Sequence, residues 1–129
     1  MNNPQPWWLT WPVVEVAATI FPLFSHLEFS PCRDEDLVLY DIVAWCRTGR
    51  LPESKLFRAL PGKKRFTDPD FRAINEAIQV LEHARLIVQY VSGGDVTSCY
   101  LGLTRQGTHV LATNTVRQHL GLRDATPTA

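Results

Sequence analysis

Three cysteines and four histidines are the side chains in this 129-residue chain best suited to hold a metal or attack an electrophile. Their spacing argues against both. Cys32, Cys46 and Cys99 form no C-x-x-C pair, and His26, His83, His109 and His119 are scattered, so no zinc ligand set is legible. No G-x-S-x-G elbow presents a serine nucleophile, and Gly93-Gly94 lacks the strand, lysine and helix of a phosphate loop. Catalysis, a metal and a resident cofactor are therefore not expected. Cys46 and Cys99 suit small core positions, and the histidines suit the surface or its boundary.

The bases carry more information than the nucleophiles. Formal net charge is zero, but residues 1–46 hold one base, Arg33, against six acids, a sum of −5. Residues 47–72 hold eight bases (Arg47, Arg50, Lys55, Arg58, Lys63, Lys64, Arg65 and Arg72) and three acids (Glu53, Asp68 and Asp70), a sum of +5. Residues 73–129 balance. An anionic ligand responds to this local field rather than to the total. The plainer reading is a solvated loop that keeps the protein soluble.

The elements that must position these charges follow from length and pattern. The length suits one domain. Hydrophobic residues are 45% of the chain and charged residues 20%, which excludes wholesale disorder. No uncharged apolar run is long enough for an ordinary membrane span. The first residues lack the positive n-region of a secretion signal, and three cysteines suit a reducing compartment, so the expectation is a cytoplasmic protein.

Residues 1–10, with Trp7-Trp8, read as an arm that packs by its aromatics. Residues 11–29 read as a helix opened by Pro12, apolar nearly all round, and kinked or broken by Pro22. Such a helix must be covered by its own domain or by a second copy. Acids at Asp34–Asp36 open a helix that Gly49 stops, and Pro52 to Leu60 reads as a short helix. Gly62 to Thr67 is a basic loop. Thr67 or Asp68 caps the clearest amphipathic helix, in which Phe71, Ile74, Ala77, Ile78, Leu81 and Ala84 form the apolar stripe. Leu86–Val91 and Val96–Leu103 read as strands of a hairpin turning at Ser92–Asp95. Thr104 caps one last helix that Gly121 ends. The expected divisions are 1–33 (arm and kinked helix for packing or dimerisation), 34–121 (main domain) and 122–129 (flexible tail).

Two phrases in this order are informative. Ile78-Gln-Val-Leu-Glu-His-Ala-Arg-Leu-Ile87 resembles the "leucine-acid-x-x-glycine-leucine-isoleucine" phrase of MarR- and PadR-like transcriptional regulators, where the recognition helix enters the wing. Tyr100-Leu-Gly-Leu-Thr-Arg-Gln-Gly107 resembles their "leucine-threonine-x-x-glycine" phrase, where the wing leads into the next helix. The resemblance covers residues 34–115. It implies an α+β, mostly helical fold: a winged helix-turn-helix core with a two-stranded wing and extra N-terminal and C-terminal helices. It implies a regulator that binds double-stranded DNA through the third helix. Arg72, Asn75 and Gln79 would then face base edges, Arg suiting guanine and the two amides adenine. Lys55, Lys63, Lys64 and Arg65 would take phosphates. Related regulators pair through helices outside the core, so a homodimer through residues 11–29 and 105–120 is expected.

A different use of the same fold is open. Glu76 lies among the outward residues, Ser92–Asp95 contains no Arg or Lys, and the net charge is zero. These features suit a winged helix that binds protein, as an accessory subunit of a larger nucleic-acid or mobile-element complex. Trp7, Trp8, Trp11 and Trp45 with Phe21 and Phe24 suit an effector pocket, an interface or ordinary core.

Overall fold

A computed structural model describes residues 6–25, 33–50, 67–92 and 98–122, the side chains of 33–37, 91, 92, 98 and 99 excepted. The short helix expected at Pro52–Leu60, the loop with Lys63, Lys64 and Arg65, the hairpin tip at Gly93–Asp95 and the tail from Arg123 lie outside the described residues. The described elements are mostly helical, with a small antiparallel sheet, an α+β arrangement.

The aromatic arm forms a single turn, α1 (Trp7–Thr10). Its Trp7 ring meets Trp8 at 5.5 Å, Trp11 at 5.2 Å and Trp45 at 6.2 Å, the first and last edge-to-face. Helix α2 (Val13–Ile20) follows from Pro12, and at Phe21 it tightens into a 3₁₀ turn, Phe21–Ser25. Pro22 accounts for the change, because it has no N–H to continue the ladder. The all-round apolar character of this segment is met inside the chain. Val16, Ala17, Ala18, Ile20, Phe21, Leu23 and Phe24 are all buried, and each large one contributes about 1.5–3 kcal/mol by leaving water.

A two-residue strand, β1 (Arg33–Asp34), precedes helix α3 (Glu35–Thr48), which ends at Gly49 with φ 76°. That left-handed position is one glycine occupies at little cost. Sequence reading places 34–36 at a helix start and misses β1, since two residues carry no periodicity. Helix α4 (Pro69–His83) is followed by β2 (Ile87–Ser92) and β3 (Ser98–Leu103). The hairpin register runs from Ile87 opposite Leu103 to Ser92 opposite Ser98, and β1 adds to the far side of β3, giving the order β1-β3-β2.

The single last helix expected from the sequence is instead two, α5 (Arg105–Thr113) and α6 (Val116–His119). Asn114 separates them with φ 54°, a left-handed conformation that Asn tolerates and that a helix cannot run through.

One core joins these elements. Val16 and Phe21 from the N-terminal segment, Val38, Leu39 and Ile42 from α3, Ile74, Ile78 and Leu81 from α4, and Leu101 from β3 all belong to it. Residues on both sides of position 33 therefore share one interior. Helix α2 packs along α4, and α3 packs on α4 as well.

Thr104 ties the hairpin to the helix that follows. Its Oγ1 accepts from the Gly107 N–H at 2.9 Å, capping α5, while its hydroxyl donates to the Arg85 carbonyl. Its own N–H donates to the Leu86 carbonyl at 3.1 Å.

Candidate functional site

Helix α4 is held at its start by charge. Asp68 caps it, accepting from the Asp70 N–H at 2.9 Å, and Pro69 occupies the first turn. Phe71, Ile74, Ala77, Ile78 and Leu81 are buried, as the apolar stripe predicts. The opposite face exposes Arg72, Glu76, Gln79 and His83, with Asn75 half-buried beside them.

The structure thus brings three of the expected base-reading residues, Arg72, Asn75 and Gln79, onto one face of one helix. Lys55, Lys63, Lys64 and Arg65 lie outside the described residues. Arg47, one of the eight bases of the positive segment, is committed elsewhere. Its Nε donates to Asp70 Oδ2 at 2.7 Å, and its Nη2 lies 3.4 Å from both Asp68 carboxylate oxygens. The guanidinium also sits 5.7 Å from the Phe71 ring centre. Trp8 closes the cluster by donating its indole N–H to Asp70 Oδ1 at 2.7 Å. Partial burial opposes the charge on Arg47, but the hydrogen bond and field of Asp70, with Asp68 behind it, outweigh that and raise its pKa.

Two carboxylates and one guanidinium give this cluster, without the exposed Arg72 beside it, a charge of −1. Carboxylates suit a helix N-terminus, yet they also oppose an incoming phosphate. No sequence signal revealed this cluster, because it joins α1, α3 and α4 across 23 and 62 residues of chain.

The other end of the same face borders a groove of about 470 Å³. Helix α4 supplies Glu76, Gln79, Val80 and His83, followed by Ala84; α2 supplies Val14, and the last helical turn supplies His119 and Leu120. Its walls are fixed by a bidentate ion pair between α2 and α6, Arg117 Nη1 to Glu15 Oε2 at 2.7 Å and Nη2 to Oε1 at 3.1 Å. The hydrogen bond from Arg117 holds the Glu15 carboxyl below its ordinary pKa, against a smaller opposing effect of desolvation.

His119 sets the remaining corner. Its Nε2 lies 3.1 Å from the Ala84 carbonyl, a terminal carbonyl of α4 that needs a donor, and its Nδ1 lies 3.4 Å from Gln106 Nε2. Donation from Nε2 and acceptance at Nδ1 satisfy both contacts in one neutral tautomer. Sequence reading gave His119 no role, and nothing in its spacing joins it to Ala84.

Among the described residues no cluster of three His, Cys, Asp or Glu side chains could hold a metal, and no helix is long and apolar enough to cross a membrane. Burial, assisted by the nearby Asp70 carboxylate, pushes the Cys46 thiol up to about 12, which keeps it protonated and unreactive at neutral pH. Compared with known proteins, the chain matches no protein-family model, no curated protein and no solved structure.

Proposed function

We propose that the chain is a winged-helix transcriptional regulator that reads duplex DNA with the exposed face of α4. The observation that carries this reading is the convergence of Arg72, Asn75 and Gln79 on one solvent-facing stripe of a 15-residue helix that leads straight into a hairpin. Among the described residues, the succession α3, α4, β2, β3 and the sheet order β1-β3-β2 support a winged helix with α4 in the recognition position. Arg72 pairs with guanine and the two amides with adenine. Lys55, Lys63, Lys64 and Arg65 take phosphates, and bound protein blocks a promoter. Two copies, paired through residues 11–29 and 105–120, present two α4 helices to a palindromic site. Most of the apolar surface of 11–24 is used inside the chain, which leaves Leu9 and Trp11 as the exposed large apolar side chains at this end among the described residues.

The test is anisotropy with a random duplex at about 50 and 200 mM salt, where four phosphate contacts reduce affinity roughly 150-fold. Replacing Lys63, Lys64 and Arg65 by Ala lowers the log–log slope by about 2.7. Arg72→Ala weakens a selected operator more than random DNA. No binding at the lower salt overturns the reading.

The carboxylates of Asp68, Asp70 and Glu76 favour a second reading, a winged helix that binds protein as an accessory subunit of a larger complex. Trp11, 49% exposed beside Leu9, is then the natural contact. A partner retained at high salt by the wild type and lost by Trp11→Asp supports it. Duplex binding without any such partner overturns it. Removing residues 1–30 is not a usable variant, since it deletes Phe21 and Phe24 from the core.

A further inference from the structure

The groove between α2, α4 and α6 has a composition of its own, separate from the question of DNA. Its volume, about 470 Å³, lies in the range of small-molecule sites. Val14, Val80, Ala84 and Leu120 provide an apolar bed of half-buried side chains. Among the described residues Glu76 is the one acid that lines it, and no lysine or arginine does. Glu76 and Gln79 make no ion pair or hydrogen bond with a described residue. Both histidine nitrogens of His119 are spent on Ala84 and Gln106. What remains is an apolar cleft whose rim carries the Glu76 carboxylate, the Gln79 amide and the exposed His83 imidazole.

We infer that this groove binds a small amphipathic cation, an arylalkyl or alkyl ammonium compound. Its ammonium head donates to the Glu76 carboxylate and the Gln79 carbonyl oxygen, and its apolar body lies on Val80, Ala84 and Leu120. Charge decides the class. An anion of the same shape meets Glu76 with no lysine or arginine among the described lining residues to offset it, and a neutral alcohol forgoes the charge-assisted bond. The walls are preformed, because the Arg117–Glu15 pair and the His119–Ala84 contact hold α6 against α2 and the end of α4 without any ligand. A preformed site avoids part of the ordering cost of binding.

The experiment follows backbone amide NMR shifts of the full chain, without DNA, during titration with phenethylammonium chloride. Hydrocinnamate and phenethyl alcohol serve as the anionic and neutral counterparts. Saturable shifts at Gln79, Val80, His83 and Leu120 are expected for the cation, with the anion at least tenfold weaker. Glu76→Gln is expected to weaken the cation about tenfold and leave the alcohol unchanged. Glu76 is exposed on the helix surface, so this variant keeps its fold, and an unchanged spectrum away from the groove verifies that. Glu82→Gln, one helical turn and a half away, is expected to bind as wild type does. Cation binding that is absent, spread evenly over the surface, or insensitive to Glu76→Gln overturns the proposal. Because no DNA is present, these outcomes are independent of whether α4 reads a duplex.

Discussion

Gly107 lies flat against the Leu86 carbonyl: a Cβ at position 107 would stand 1.9 Å from that oxygen. The contact is backbone on backbone, so no side chain can yield. It joins the first turn of α5 to the start of β2, beside the Thr104 cap. The "leucine-threonine-x-x-glycine" phrase thus has a local physical meaning here. Thr104 holds the helix start and Gly107 lets it approach.

Gly107→Ala is therefore expected to cost about 3 kcal/mol, the high end of the range for overpacking. Urea unfolding at constant m-value measures it. A loss below about 1 kcal/mol would show that α5 can shift away freely.

Arg85 and Asn114 both stand in the left-handed region, with φ 64° and 54°. Arg lacks the local tolerance of Asn for that conformation, so Arg85→Gly is expected to stabilise the fold by about 1 kcal/mol. Asn114→Gly is expected to change it by only a few tenths of a kcal/mol. Equal effects at the two positions would contradict this account. The regulators that the 78–87 phrase resembles write glycine where Arg85 stands.

The Asp70 cluster gives a prediction with two opposite readouts. Asp70→Asn removes the anchor of Arg47 and weakens the Trp8 contact. Because Arg47 is 43% exposed, the stability cost is about 1 kcal/mol or less. The same change removes one negative charge at the start of α4 and leaves Arg47 only its longer 3.4 Å contact with Asp68. Binding to random duplex is then expected to tighten, with a salt slope steeper by about 0.9. Lower stability with an unchanged slope would remove Arg47 from the phosphate path.

The Glu15–Arg117 pair sets an acid limit. A carboxylate with a lowered folded pKa contributes stability that is complete above its unfolded value, near 4.5, and is lost as pH falls through the folded value. At pH 7, Glu15→Gln is expected to cost about 0.5 kcal/mol, since both side chains are partly exposed. This difference is expected to shrink below pH 4.5. A pH-independent gap between wild type and variant would assign the cost to packing rather than charge.

The parts legible in the sequence were those with a long local pattern. Helix α4 begins at Asp68 and Pro69 and buries Phe71 to Leu81 because its stripe runs for four turns. The hairpin and the Thr104 cap were readable from alternation and turn chemistry. Pro22 marked the change of helix type. Features that depend on distant partners were not readable. β1 exists only because Arg33 and Asp34 find Leu101 and Tyr100. The sequence groups Arg47 with the bases of the positive segment, and only the fold brings Asp70 beside it. His119 joined the groove only through Ala84. The break at Asn114 was within reach, since Asn is the residue after Gly most at ease there, but the apolar spacing ran past it.

The pairing of α2 with α6 sets an order in time. Glu15 and Arg117 are 102 residues apart, so α2 meets its α6 partner only after a further 102 residues have been synthesised. At 5–20 residues per second, that is a wait of roughly 5–20 s. Throughout it, Val16, Ile20, Phe21 and Phe24 have no finished core to enter. Until then these apolar side chains are uncovered in the nascent chain, and they enter the core only as α4 and then Val116 of α6 are made.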